Sequence, residues 1–386
     1  VISIGQNCRT MHVNKPLTLL GGISPAEFMN TYWQRKPLLV RQAIPEFKAL
    51  LSRPELFDLA EHNEVESRLV MGSNGGKRDW QMQRGPFKRR AIPKLTERDW
   101  TLLVQGVDLH DDRVAALMQQ FRFIPDARLD DVMISYATEG GGVGPHFDSY
   151  DVFLLQAHGQ RRWRIGRQKD LSLVPDMPLK ILANFKPEHD WVLNPGDMLY
   201  LPPRYAHDGI AQGECMTYSV GFRVPQTGDL ARELLVRLSE GAEEAAGGDL
   251  YKDATQPAVA KPAAMPEGLA EFAKSALQKA LKDPKALQRA LGEYLTEPKA
   301  NVWFEMGDMP DKLKSVRLDR RSKMMYDAHH IFLNGESWRA AGKDAALMRH
   351  LADARELTAD ELAKASPEAL NLLMEWCDDG WLHAGA

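Results

Sequence analysis

Three residues carry the chemistry this chain could perform. His146 and Asp148 stand two apart in GPHFD (144–148), and His207 closes NPGDMLYLPPRYAH (194–207). Two imidazoles and one carboxylate are a ligand set for a divalent metal. A facial triad of this composition leaves coordination positions open, which suits non-haem Fe(II) and oxygen chemistry better than zinc alone. If His146 and Asp148 lie on one strand, their side chains share a face at a repeat of about 6.6 Å, with Phe147 packing behind them. His207 must then come from another strand or loop. Pro195-Gly196-Asp197 followed by MLYLPP supplies a turn and a strand that can run back to deliver it. A bare H-x-D is weak evidence, and the chain holds a decoy in His110-Asp111-Asp112. Its context, VDLHDDRVAAL, reads as a helix boundary with Asp111 or Asp112 as the cap, so His110 is expected to be structural or merely exposed.

The elements that must position these residues are visible in the punctuation of the chain. Ser24-Pro25-Ala26-Glu27 is a capped helix start leading through Phe28 and Tyr32, and it stops before Lys36-Pro37, after which Leu38-Leu39-Val40 reads as a short strand. Alternation in SRLVM and DWQMQ around Asn74-Gly75-Gly76 predicts a hairpin. Over 98–123 the apolar spacing of Trp100, Leu103, Val104, Val107, Val114, Leu117 and Phe121 predicts a helix. Between 131 and 224 come the runs VMISYA, HFDSYDVFLLQ, RRWRIG, WVLNPGDMLYLP and MTYSVGFRV. Short strands separated by turns in this way predict an antiparallel sandwich or barrel, of which a cupin-type jelly roll is one form. The period then becomes helical over 228–295, interrupted by a Pro/Ala-rich linker at 255–266. The last ninety or so residues read as a hairpin with Asn334-Gly335 at its turn, HHIFLNGESWRA, plus two helices, a small winged-helix-like α/β domain. The expected fold class is therefore α+β, divided as 11–225, 226–305 and 306–386.

Composition narrows the function classes. A chain of 386 residues with 44 % hydrophobic content can bury a large core and further units. It has no apolar run long enough for a membrane span and no secretory pattern at its start, so a cytoplasmic protein is expected, with Met11 a possible natural start. Cys8, Cys215 and Cys377 are widely spaced and odd in number, which fits a reducing compartment and excludes a disulfide scaffold. A net charge of −4 does not imply nucleic-acid binding and tolerates a basic protein partner. The basic cluster Arg317, Arg320, Arg321 and Lys323 is short and reads as a solvated face rather than a nucleic-acid surface.

The stretch GGGVGPHFDSYDVFLLQAHGQRRWRIG, followed by PGDMLYLPPRYAHDG and YSVGFR, resembles the Jumonji-C branch of the 2-oxoglutarate- and Fe(II)-dependent oxygenases, closely so the bacterial ribosomal oxygenases. The resemblance extends to YWQRKPLLV near the start and to the order barrel, helical region, winged-helix-like end. It implies a double-stranded β-helix core, a helical middle segment that dimerises, and hydroxylation of an arginine on large-subunit ribosomal protein sixteen with release of succinate and CO2. The implied iron ligands are His146, Asp148 and His207, with O2 as co-reactant. Arg161 stands thirteen residues after Asp148, where many relatives carry a lysine for the distal carboxylate of 2-oxoglutarate. Arginine can fill that role with its planar fork, and strand alternation puts Arg161 and Trp163 on one face, Arg162 and Arg164 on the other. Thr217 and Ser135 are further candidates for the cosubstrate's surroundings, and Tyr136, Tyr150 and Asp151 for the entrance. Without the resemblance, the helical apolar stripes read as intrachain core rather than a dimer seam. The rival readings are an oxygenase for another protein residue or a small molecule, a non-catalytic metal-binding cupin, and a winged-helix nucleic-acid binder.

Overall fold

The computed structural model describes residues 12–72, 80–307, 309, 310 and 312–385. Ser24 accepts from Glu27 N and Pro25 occupies the first turn, so α1 (Pro25–Thr31) starts where the capping pattern predicts. β1 (Leu38–Val40) follows, then α2 (Arg53–Leu59) on a Ser52–Glu55 capping box. β2 (Ser67–Met71) and β3 (Gln81–Arg84) pair antiparallel as expected, while the Asn74-Gly75-Gly76 turn and residues 1–11 lie outside the described residues. The helix expected over 98–123 is corrected. Trp100–Val104 is a strand, β4, buried along its whole length between β2 and β5 (Leu129–Ala137), and α3 spans only Asp112–Gln119. A strand covered on both faces has no polar alternation, so its apolar residues were misread as a helical stripe.

The chain divides into two units, Val1–Val224 and Pro225–Ala386. In the first, β6 (Val152–Gly166), β7 (His189–Leu193), β8 (Met198–Leu201) and β9 (Ala206–Phe222) complete a nine-stranded sheet of order β1-β8-β6-β9-β5-β4-β2-β3, with β7 on the far half of β6. β6 and β9 run together from Val152–Gly221 to Gly166–Ala206, with two register shifts between Gln156 and Gln160. Those bulges bend the pair so that its halves belong to two facing layers. Gly159 sits at the bend with φ 59°, where a side chain would collide with Glu214 O. The layers meet through Val152, Leu154, Leu199 and Leu201 on one side and Trp163, Ile165 and Leu193 on the other. This is the jelly-roll interior. The outer face of the larger layer, with Phe153, Tyr200, Tyr218 and Phe222, packs under α1, α2 and α3 through Phe28, Phe57 and Val114.

The second unit begins with α4 (Thr227–Ser239), α5 (Ala242–Ala246) and α6 (Glu267–Ala280), none of which fully buries a residue in the single chain, although Leu230, Leu234 and Leu238 of α4 and Phe272 of α6 are half-buried. α7 (Pro284–Thr296) buries Ala290, Gly292 and Thr296, and Thr296 Oγ1 accepts from Gly335 N. Two three-stranded sheets follow. β10 (Val316–Leu318) lies between β14 (Glu356–Leu357) and β15 (Leu382–Ala384), and β12 (His330–Leu333) lies between β11 (Met324–Tyr326) and β13 (Glu336–Arg339). The β12–β13 pair is the hairpin expected at Asn334-Gly335. α8 (Gly342–Ala354), α9 (Ala359–Leu362) and α10 (Pro367–Asp378) cover this core around Leu351, Leu373 and Trp376. Arg321 is paired with Asp319 and Arg317 is exposed on β10. Among the described residues no helix is long and apolar enough to cross a membrane.

Asp151 does not line an entrance. Its side chain is fully buried beneath β8, accepting from Tyr200 Oη at 2.6 Å, Gln34 Nε2 at 3.1 Å and Arg128 Nη2 at 3.3 Å. Tyr136 is also wholly buried, its ring against Phe57 and Trp100. Burial pushes the Asp151 carboxyl up against the pull of its donors. Asp151→Ala orphans three donors and is expected to cost about 2–4 kcal/mol in urea unfolding, while Asp151→Asn, uncharged and still an acceptor, costs less than half of that.

Candidate metal centre

His207 is the second residue of β9, directly after the Pro202-Pro203-Arg204 turn that reverses β8. The turn is held by Arg204 N, which donates to Asp148 O at 2.7 Å, so the segment carrying one ligand clamps the backbone of another. The glycine-rich approach to His146 runs antiparallel along β9, with Ala211 N on Gly141 O at 2.9 Å and Gly140 N on Ala211 O at 3.0 Å. A Cβ on Gly142 would lie 2.5 Å from Gly209 O, so this close pairing needs glycine there. At its end the backbones of His146 and His207 exchange both hydrogen bonds, 2.9 and 2.8 Å. Their rings are thereby brought to 4.2 Å between centroids.

Both imidazoles use Nδ1 on a carbonyl two residues back, His146 on Gly144 O at 2.8 Å and His207 on Tyr205 O at 2.9 Å. That fixes Nδ1 as the protonated nitrogen and turns both Nε2 atoms toward Asp148 Oδ2, at 4.0 Å for His146 and 3.6 Å for His207. Ligand atoms of the three residues lie within 4.8 Å of one another, the spacing of donors around a common ion. His110 joins no such group among the described residues, and Asp111 caps α3 as its context predicts. One expectation is corrected: His146 and Asp148 are not on a strand, because β6 starts only at Val152 and His146 makes a single bridge. Asp148 converges through the loop, not through the two-residue strand repeat. Burial, aided by the nearby His146, lowers the His207 pKa to about 4 against the opposing pull of Asp148, so the ring is neutral and ligation-ready at physiological pH. Asp148 keeps 23 % and His146 22 % of its side chain exposed, against 4 % for His207, so the centre opens on one side.

Arg161, Trp163 and Ile165 of β6 oppose Ala211, Gly209 and His207 of β9. Opposed residues share a face, so Arg161 lies on the face of His207, about 13 Å along the strand. Trp163 fills the interval, its ring 5.9 Å from His207 and 5.8 Å from the Arg161 guanidinium. Gly209 makes room for it, since a Cβ there would sit 2.7 Å from the indole. Arg162 and Arg164 point the other way, to Asp190 and Asp208. Arg161 is only 5 % exposed, and its Nε and Nη2 have no partner in the protein. A buried guanidinium with unpaired N–H groups is costly unless an anion meets it. A dicarboxylate reaching from the metal to Arg161 fits that requirement.

Ser135 and Thr217 face each other across β5 and β9 on the same inner surface, Ser135 Oγ on Thr217 O at 3.4 Å and Thr217 Oγ1 on Gln156 Oε1 at 2.9 Å. Tyr150 is partly exposed, and burial with the charges of Asp148 and Asp131 pushes its hydroxyl pKa up. Asp131 was missed. It is 4 % exposed and, two steps of alternation from Ser135, faces inward. Period-two counting back from Ser135 was the signal that could have found it. Gln156, in direct contact with Thr217, was missed for want of any motif.

Asp148→Ala and His207→Ala are each expected to abolish binding of Mn(II), read by electron paramagnetic resonance, with folding retained by circular dichroism. Arg161→Met leaves Mn(II) binding in place and weakens 2-oxoglutarate binding by roughly tenfold to a hundredfold in calorimetry, the equivalent of about 1.5–3 kcal/mol for lost charged hydrogen bonds.

Residues 116–230 match the JmjC domain model and residues 279–383 the ROXA-like winged helix model. The ribosomal protein uL16 3-hydroxylase of Escherichia coli strain K12 is 34 % identical over 376 residues, covering 93 % of this chain and 97 % of that one. The X-ray structure of E. coli YcfD superposes with a TM-score of 0.80 at 31 % identity, covering 93 % of this chain and 98 % of that one. YcfD, a ribosomal oxygenase, in complex with cobalt and 2-oxoglutarate, matches with a TM-score of 0.78 at 30 % identity over 94 % of this chain and 98 % of that one. The chain belongs to the Jumonji-C ribosomal oxygenase family.

Proposed function

We propose that this protein is a 2-oxoglutarate- and Fe(II)-dependent oxygenase that hydroxylates an arginine of ribosomal protein uL16. The observation that carries the reading is one inner face holding an open His-Asp-His triad and a buried, unpaired guanidinium. The substrate follows from the relative whose name is uL16 3-hydroxylase, aligned over nearly its whole length. His146, Asp148 and His207 hold the metal, which when bound supplies O2 activation coupled to decarboxylation of 2-oxoglutarate. Overall, 2-oxoglutarate, O2 and a C–H bond become succinate, CO2 and C–OH, one oxygen atom going to each organic product.

The protein's own part is orientation. Arg161 takes the distal carboxylate, and Trp163, Ile165 and Leu201 form the dry wall beside it. Ser135 and Thr217 shape the floor near Gln156. Tyr150, on the open side with Asp148, suits a guanidinium through ring stacking, and the buried Asp131, which accepts from Gln105 Nε2, adds negative charge nearby. In this reading the second unit comprises a helical region, 226–305, and the winged-helix-like domain, 306–386. The helical region forms a homodimer seam, since Leu235, Val236, Leu269 and Leu277 are 41–66 % exposed in the single chain. The enzyme works in the cytoplasm, where ribosomal proteins are made and where the free thiols Cys215 and Cys377 stay reduced.

Incubation with Fe(II), 2-oxoglutarate, air and unmodified uL16 is expected to add one oxygen (+16 Da) to an arginine-containing fragment in mass spectrometry, and His146→Ala removes the gain. Consumption of 2-oxoglutarate without that gain would point to another substrate, and no consumption at all to a non-catalytic cupin. Light scattering reads the wild type as a dimer and Leu277→Glu as a monomer.

A further inference from the structure

The described residues between α7 and β10 have no regular structure, and residues 303–307 lie against the C-terminal end of α10. Gly307 N donates to Asp378 O at 2.8 Å. The approach is close enough that a Cβ on Gly380 would collide with Glu305 O and one on Gly307 would sit 2.5 Å from Cys377 O. Phe304 turns inward, edge-on to Trp381 and beneath the Arg321 guanidinium at 5.5 Å. Its neighbours turn out: Trp303 is 74 % exposed, Met306 77 % and Met309 53 %. Large apolar side chains exposed this close together in sequence mark an interaction surface more often than a single exposed one does.

The adjoining helix end is acidic. Glu375 and Asp379 are exposed and Asp378 half-buried, all in or just beyond the last turn of α10. Carboxylates there oppose the helix dipole, which favours cations at that end. Partial burial, then the charges of Asp378 and Glu375, push the Asp379 carboxyl up, as expected of carboxylates crowded together. The cation in contact with the apolar stretch, Arg321, is already committed to Asp319 at 2.8 Å. The α10 end thus offers negative charge beside exposed sulfur and indole surface, a combination that suits lysine and arginine side chains: stems over Trp303 and the methionines, heads at the carboxylates.

We infer that Trp303, Met306 and Met309, rimmed by Glu375, Asp378 and Asp379, form a docking surface for a basic segment of the ribosomal protein substrate. The inference rests on the proposed substrate class and gives the winged-helix-like domain a protein-binding role. Affinity supplied away from the reacting arginine lowers KM for the intact substrate without entering the chemical step.

The test uses the full chain, as wild type, Trp303→Ser with Met306→Ser, and Glu375→Lys with Asp379→Lys. Substrates are unmodified intact uL16, fluorescein-labelled for anisotropy, and a short unmodified peptide carrying the arginine to be hydroxylated. Both variants are expected to raise Kd and KM for intact uL16 by roughly tenfold, with kcat and the peptide's KM unchanged. The charge-reversed variant also flattens the salt dependence of binding. Unchanged Kd and KM for intact uL16 overturn the inference while leaving the hydroxylase reading intact. A fall in oligomer mass by light scattering in either variant assigns the patch to a second copy and overturns it too. Wild type that binds intact uL16 through this patch without modifying it upholds the docking surface and sinks the hydroxylase reading; no binding and no modification sinks both.

Discussion

The two hydrogen bonds exchanged between the backbones of His146 and His207 are the constraint on which this site depends. Without them the ligands belong to segments sixty positions apart, one a glycine-rich loop and the other the start of a long strand. The bridge sets their rings side by side, and the carbonyls of Gly144 and Tyr205 then fix both tautomers so that Nε2 faces inward. Asp148 is drawn in by the same economy, since its own carbonyl anchors the turn that delivers His207. A metal site assembled by backbone pairing is preorganised by the fold itself, and the ion finds its ligands already close rather than having to gather them.

The second constraint is the bend in the β6–β9 pair. Register shifts around Gly159 let one pair of strands serve two layers, and the inner surface so enclosed carries both the apolar contacts that hold the layers together and the polar groups that do chemistry. Arg161 sits just past the bend, where alternation turns it inward with Trp163. Its neighbour Arg162 meets Asp190 on the outside. The difference between a buried, unpartnered guanidinium and a surface ion pair is one position along a strand. Trp163 keeps Arg161 and His207 apart by its own width, and Gly209 is the space that allows it.

In the second unit the same physics yields a different outcome. α4 and α6 have amphipathic sequences but no fully buried residue in the single chain, and their Leu230, Leu234, Leu238 and Phe272 are half-buried. α7, by contrast, is packed tightly enough on β12 that a side chain at Gly292 would collide with the Phe332 ring. Of the basic cluster Arg317, Arg320, Arg321 and Lys323, Arg317 is exposed on its strand and Arg321 is held by Asp319.

Much of this protein was legible in its residues taken alone. Local signals sufficed where the physics is local: the Ser24 cap, the Asn334-Gly335 hairpin, the run of short strands after 131, and the choice of His146 over His110 from the helix cap beside the latter. Residue type singled out His146, Asp148 and His207, and period two put Arg161 and Trp163 on one face. Where burial on both faces erases alternation, as at Trp100–Val104, the pattern misled. The route by which Asp148 reaches the ion, the burial of Asp151 under Tyr200 rather than at an entrance, and the presence of Asp131 on the inner face were decided only by the tertiary structure. Each depends on which strands pair and where they bulge, and pairing between distant segments is set by the packing of the whole sheet, not by any stretch within it.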